Sequence, residues 1–322
     1  MAPRNLSVNQ LAWKLIEELR SRAEEYGVLV EESRLGATII DAGIEARGGY
    51  LAGKVIAEIC LGGLGRVEIT CREYGHLTLP AAFVQTDHPA IATLGSQFAG
   101  WKVRVGGFFA LGSGPARALA LKPRRIYEEI AYQDRFDRAV LVLETSKKPP
   151  EDVISQVAQL CQVSPSNLAL ILVPTSSVAG STQVAGRIVE TGVHKLARLG
   201  LDPKKILCGW GISPIPPVHL DPTISMGRMN DAILYAGVVG LTVDVEDDQA
   251  LRRLVERAPS SSSKTYGKPF IEILREAGYD FYRIDPDLFA PAVVIVNNVS
   301  TGTVLRAGRV NVEMLERSVG LL

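Results

Sequence analysis

Six consecutive apolar residues, Leu168 to Val173, stand between Asn167 and Pro174 in the run NLALILVP. A strand with one wet face alternates apolar and polar residues. An unbroken run belongs to a strand covered on both sides. The chain therefore needs a sheet with a layer on each face, and 322 residues are enough for one large core or two moderate ones.

The segments around that run supply the layers. Ser7 is a candidate N-cap for a first helix carrying Leu11, Leu15, Leu19 and Tyr26 near helical spacing. VLVEE and GATIIDAG, separated by Ser33, Arg34 and Leu35, read as a hairpin. A helix over 50–60 stops at Gly62 and Gly63. Strands are expected at RVEITC, LTLPAAFVQ and RAVLVLET, then a helix through Leu160. After the apolar run, PTSSVAGSTQ feeds one long helix ending near Leu199, with Gly200 as its stop. CGWGISPIPPVHLDP is too rich in Pro and Gly for regular structure. Helices follow near 247–257 and 269–277, with the serine tract 259–263 read as a flexible linker. Tyr266 and Phe281 read as core or rim residues. PAVVIVNN and TVLRAG form a last hairpin before a short helix. LGATIIDAG and TGTVLRAG both close on Ala-Gly, a likeness that fits either an internal duplication or coincidence.

Strands and helices mix without a steady βαβ rhythm, which favours an α+β class over a doubly wound sheet. The change of rhythm places a domain boundary at 145/146. Residues 1–145 are then an N-terminal α/β domain and 146–322 a C-terminal one, with the hairpin at 290–310 a candidate to pack onto the first domain.

Composition excludes several function classes. A formal net charge of zero argues against nucleic acid as the main partner, because phosphate binding needs surplus Lys and Arg. The start MAPRNLSVNQLAWKLIEELR is too charged for a signal peptide, and no apolar run is long enough to span a membrane. Cys60, Cys71, Cys161 and Cys208 lack disulfide or zinc spacing and read as cytoplasmic thiols. Gly62, Gly63 and Gly65 miss the dinucleotide spacing, and Gly112-Ser113-Gly114 lacks the Lys of a phosphate loop. Glu190 and His194 are one helical turn apart without a second His, so no metal is predicted.

Chemistry concentrates in residues 174–195. On a helix there, Val184, Ile188, Leu196 and Leu199 share one face, while Arg187, Glu190 and His194 share another stripe. The bland reading is a solvated ion pair worth roughly 0.2–0.5 kcal/mol. Gly186 and Gly192 cut against it, since each costs about 1 kcal/mol in a helix relative to Ala. Such glycines often mark the close approach of another backbone or a ligand. Before a predicted helix, the N–H groups around Gly112–Gly114 suit either a simple turn or an anionic ligand group.

ICLGGLG (59–65), HPAIATLGSQFAGW (88–101), FFALGSGPARALA (108–120), PTSSVAGSTQVAGRIVETGVHK (174–195) and MGRMNDAILYAG (226–237), in this order, closely resemble the methenyltetrahydromethanopterin cyclohydrolase family. PSSSSKTYGKPF (259–270) and DFYRID followed by LFAPAVVIVNN (280–298) extend the likeness, which spans about Ser7 to Gly320. The resemblance implies a homotrimer of subunits with two mixed α/β-type domains and a substrate cleft between them. It implies reversible hydrolysis of a 5,10-methenyl carrier to its 5-formyl form, with no metal or redox cofactor. The family's catalytic Arg and Glu fall on Arg187 and Glu190. Gln97 and Glu144 match pocket positions, and Ser113, Gly114, Thr175 and Ser181 are further substrate-binding candidates within the shared motifs. Archaeal members tend to carry Lys where this chain has Phe98, so no lysine role carries over there. Two other readings stay open: another tetrahydropterin one-carbon enzyme, and a non-catalytic carrier-binding paralogue.

Overall fold

A computed structural model of the chain describes residues 6–280 and 283–320; Phe281 lies outside them. In chain order the elements are α1 (Val8–Ser21), α2 (Ala23–Tyr26), β1 (Leu29–Glu32), β2 (Thr38–Asp41), α3 (Tyr50–Cys60), β3 (Gly65–Tyr74) and β4 (Leu77–Thr86). A π-helix (Ala90–Gln97) leads to β5 (Trp101–Val105), β6 (Phe108–Ser113), α4 (Ala116–Ala120), α5 (Arg124–Ile130), β7 (Ala139–Glu144) and α6 (Glu151–Cys161). Then come β8 (Leu168–Leu172), α7 (Val178–Ala185), α8 (Ile188–Leu199), β9 (Ile206–Pro214), α9 (Pro222–Ala236) and β10 (Val238–Val243). The chain closes with α10 (Asp248–Glu256), α11 (Phe270–Glu276), β11 (Val293–Asn298), β12 (Val304–Gly308) and α12 (Val312–Val319).

The class is α+β, with two mixed six-stranded sheets. Two compact units divide the chain: residues 1–66 with 90–183, and residues 67–89 with 184–322. The boundary therefore does not fall at 145/146. Strand β8 pairs in parallel with both β7 and β2, which keeps the segment after 145 in the first unit. The hairpin at 290–310 belongs to the second unit, because β11 pairs in parallel with β10. Sequence rhythm misses both facts because strand pairing is non-local.

The first sheet runs β1-β2-β8-β7-β6-β5. Its centre is the apolar run, with all five residues of β8 buried. One face packs on α1 and α3 through Ile16, Leu19, Ile56, Ile59, Val140 and Ile171. The other packs on α6 through Leu141, Leu170, Val153 and Val157. Ser7 caps α1 as its spacing implies, accepting the Gln10 N–H at 3.0 Å. Gly62 and Gly63 take φ of +68° and +69° just beyond α3, the left-handed stop that suits glycine.

The second sheet runs β12-β11-β10-β9-β4-β3. Strand β9 corrects the expectation of irregular structure over the first part of CGWGISPIPPVHLDP, through Pro214, while residues 215–221 are irregular as expected. It pairs antiparallel with β10 and with β4, inside the sheet. Its glycines, breakers by propensity, serve as clearance for a helix, a tertiary reason that overrides propensity. The serine tract is also ordered: Ser260 and Ser262 donate to Leu234 O and Arg257 O, and Ser263 donates to Asp285 Oδ2 at 2.6 Å. Tyr266 packs against Tyr235 with ring centres 5.1 Å apart, in the core of α9, α11 and α12.

The two Ala-Gly hairpin segments do not occupy equivalent places. LGATIIDAG forms β2, fully buried inside its sheet, whereas TGTVLRAG forms β12, the edge strand of the other. An internal duplication has no support here.

Candidate functional site

The long helix expected through residue 199 is two helices. Gly186 and Arg187 form a turn between α7 and α8. Arg187 sits at the N-cap of α8 without a side-chain cap, its carbonyl accepting both the N–H and the Oγ1 of Thr191 at 2.9 Å. Glu190 is then the third residue of α8, in its first turn. A carboxylate is favoured there by the helix dipole.

Burial separates this pair from an ordinary surface pair. Glu190 is 8% exposed, which removes the fully solvated reading, and Arg187 is half-buried. The cause is how closely α8 lies on the second sheet. Gly209 and Gly211 of β9 leave room for Val189 and Ile188: a β-carbon on either would stand 3.0 Å from Val189 Cγ1 or 2.8 Å from Ile188 Cγ2. Gly237 receives the tip of Ile188, and Gly192 lets the helix sit on Val239, whose Cγ1 would be 2.8 Å from an added β-carbon. Gly192 thus answers a close approach by the sheet below it. Ile188 and Val189 are both fully buried, each burial worth roughly 1.5–3 kcal/mol. Sheet packing therefore fixes the direction in which Arg187 and Glu190 leave the helix.

Further along α8, His194 is largely buried, and burial followed by the charge of Arg198 pushes its imidazole down to about 4. It is neutral at physiological pH. Lys195 is 1% exposed and pairs with Asp287, Nζ to Oδ1 2.8 Å and to the carbonyl 3.1 Å. A buried ammonium is costly unless paired. By sequence alone a lysine between apolar helix positions looks like a surface residue, so nothing local marks Lys195. Among the described residues, no three His, Cys, Asp or Glu side chains gather as a metal site would require.

The other candidates all lie in the first unit. Glu144 ends β7 and Thr175 follows β8; the register of Leu143 with Leu172 puts them at the same carboxyl edge of adjacent parallel strands. In open α/β sheets, ligands bind at that edge. The loop after β2 leaves the same edge and is shaped by Asp41, whose carboxylate accepts the N–H groups of Gly43, Ile44, Glu45 and Ala46. Ser181 is buried in α7. Ser113 stands opposite Val142 on the strand next to β7, two residues along the register from Glu144, and Gln97 and Gly114 come together beside it. Ser96, the neighbour of Gln97, accepts the Gly114 N–H on its carbonyl at 2.9 Å, and the Ser113 hydroxyl lies 3.7 Å from Cys60 Sγ. The Gly114 N–H is thus engaged by the protein. The π-helix that carries Gln97 has one signal in the sequence, an apolar stretch of no clear period.

A cyclohydrolase (MCH) family model matches residues 7–319. The chain belongs to this family. Methenyltetrahydromethanopterin cyclohydrolases of three archaea are similar over nearly the full length of both partners. That of Methanoregula boonei is 47% identical over 316 residues, 98% of this chain and 99% of the relative. The Methanothermobacter marburgensis protein is 47% identical over 321 residues, 98% and 100% of the two chains. The Methanocaldococcus jannaschii protein is 46% identical over 318 residues, 98% of each. The resemblance seen in the motifs is therefore a family relationship across the whole cyclohydrolase chain. Among the described residues no helix is long and apolar enough to cross a membrane.

Proposed function

We propose that this chain catalyses the reversible hydrolysis of 5,10-methenyltetrahydromethanopterin to the 5-formyl form, Glu190 activating water and Arg187 orienting it. Membership of the cyclohydrolase family supports the reaction class. The observation that carries the residue roles is Glu190 itself: a buried carboxylate in the first turn of a helix locked onto its sheet.

The methenyl carbon lies between two nitrogens that share a positive charge, so it is already electrophilic. A carboxylate beside it complements the cation and accepts a proton from the attacking water. The tetrahedral adduct collapses with cleavage of its bond to N10, which takes one proton, while the second proton of water leaves to solvent. Arg187 brings a planar fork that holds the carboxylate and orients the water. These roles compete, because a carboxylate paired too tightly is a poor base.

Gln97, Ser113, Gly114, Glu144, Thr175 and Ser181 are assigned to binding the carrier, on the family likeness. No metal or redox cofactor enters the reading. A homotrimer and a cytoplasmic setting belong to it as well, and light scattering of the purified protein tests the first.

The deciding experiment is incubation with methenyl-tetrahydromethanopterin, with and without chelator and without nicotinamide, beside the folate analogue. Loss of methenyl absorbance that survives the chelator is the expected result. Binding without turnover would identify a carrier-binding paralogue, and turnover only with nicotinamide would identify a reductase.

A further inference from the structure

Arg117 is fully buried, a rare place for an arginine. Its side chain reaches the last turn of the π-helix. Nη1 donates to Leu94 O at 3.1 Å and to Ser96 O at 2.9 Å, and Nε donates to Lys122 O at 2.8 Å. The intervening carbonyl, Gly95 O, accepts the Tyr127 hydroxyl at 2.9 Å. The guanidinium also lies against two rings, 5.4 Å from the centre of Phe98 and 5.7 Å from that of Tyr127.

Three successive carbonyls are therefore held from outside the helix by two side chains. The Phe98 N–H returns to Thr93 O at 2.8 Å, the i to i+5 bond that defines the widened turn. Such turns are rare and costly, and they frequently stand at functional sites. The residues whose direction this turn sets are Gln97, fully buried, and Phe98, half-buried. A need for packing alone would be met more cheaply by an apolar side chain than by a desolvated guanidinium.

We propose that Arg117, assisted by Tyr127, is a positioning residue for carrier binding: it holds the π-helix open so that Gln97 and Phe98 present the geometry the carrier requires. This rests on the assignment of Gln97 to carrier binding. Arg117 itself touches no reacting atom; it acts through the carbonyls it holds.

Steady-state kinetics of Tyr127→Phe, Arg117→Lys and Gln97→Ala, singly and paired, test the proposal. Tyr127→Phe keeps the ring and deletes one hydrogen bond, so it remains informative if Arg117→Lys does not fold. Expected is a rise in KM of about fivefold to tenfold for Tyr127→Phe, the size of one hydrogen bond of about 1–1.4 kcal/mol. The change in kcat should stay within about twofold, since an effect on binding alone leaves the chemical step intact. In the Gln97→Ala background the same substitution should add nothing further, since coupled residues are not additive. An unchanged KM in Tyr127→Phe, or effects that multiply independently, would overturn the positioning role while leaving Gln97 as a contact. An unchanged KM in Gln97→Ala would remove Gln97 from binding, and the positioning role with it, without touching the hydrolysis assigned to Glu190.

Discussion

Ile188 Cγ2 lies 2.8 Å from the point where a β-carbon on Gly211 would stand. That clearance seats the first turn of α8, the turn carrying Glu190, on a strand whose sequence looked unable to be one. Gly211→Ala must push Ile188 and the helix outward. The expected cost is about 1–3 kcal/mol of stability, as for other overpacked cores, together with a fall in kcat because Arg187 and Glu190 move with the helix. Thermal unfolding and turnover of the variant check this; full activity would show that the seating of α8 does not set the site.

Glu190→Gln removes the proposed base while keeping its shape. Turnover should fall by roughly 10²–10⁴-fold, with the methenyl carrier still bound. Arg187→Lys should recover little, because an ammonium lacks the planar fork. Stopped-flow absorbance of the methenyl group separates binding from hydrolysis. Wild-type turnover in a folded Glu190→Gln protein would end the proposed role.

Asp231 is buried among α9, α11 and α12, accepting the Ser318 hydroxyl at 2.6 Å and the Phe270 N–H at 2.8 Å. Burial pushes its carboxyl up from 3.8 to about 7, with those two hydrogen bonds pulling it down and Glu272 pushing it further up. The folded protein then keeps a proton that the unfolded chain has already released. The stability this contributes is fully present below about 4 and is lost as pH rises through about 7. Asp231→Asn, neutral throughout, should melt higher than wild type at pH 8 and show a flatter Tm from pH 5 to 8. Parallel Tm curves for the two proteins would contradict it.

His194 works in the opposite direction. Its imidazole is held neutral down to about 4, whereas the unfolded chain takes up the proton near 6.5. The stability it contributes is present above about 6.5 and lost as pH falls from there towards about 4. His194→Gln should flatten the acid side of the Tm profile. The Asp231 and His194 effects oppose each other over the same window, so each is measured in its own single variant.

Local chemistry was readable wherever a few neighbouring residues decide the outcome. The apolar run at 168–173 had to be a doubly covered strand, Ser7 had to cap a helix, and the glycines after residue 60 had to end one, because each follows from side chains within a turn or two. The spacing of Arg187 and Glu190 placed a guanidinium and a carboxylate on one turn by the same logic. What the residue string left undecided was anything set by partners far along the chain. Gly209 and Gly211 read as breakers until α8 is seen filling their space, and Gly186 read as mid-helix until the chain turns there. The division into units depended on β8 pairing with β2 and β7, and on β4 pairing with β9, more than a hundred residues away, with β3 beside β4 at the edge. Backbone hydrogen bonding between strands carries no periodic trace in either partner alone, so only the folded chain settles which strands meet.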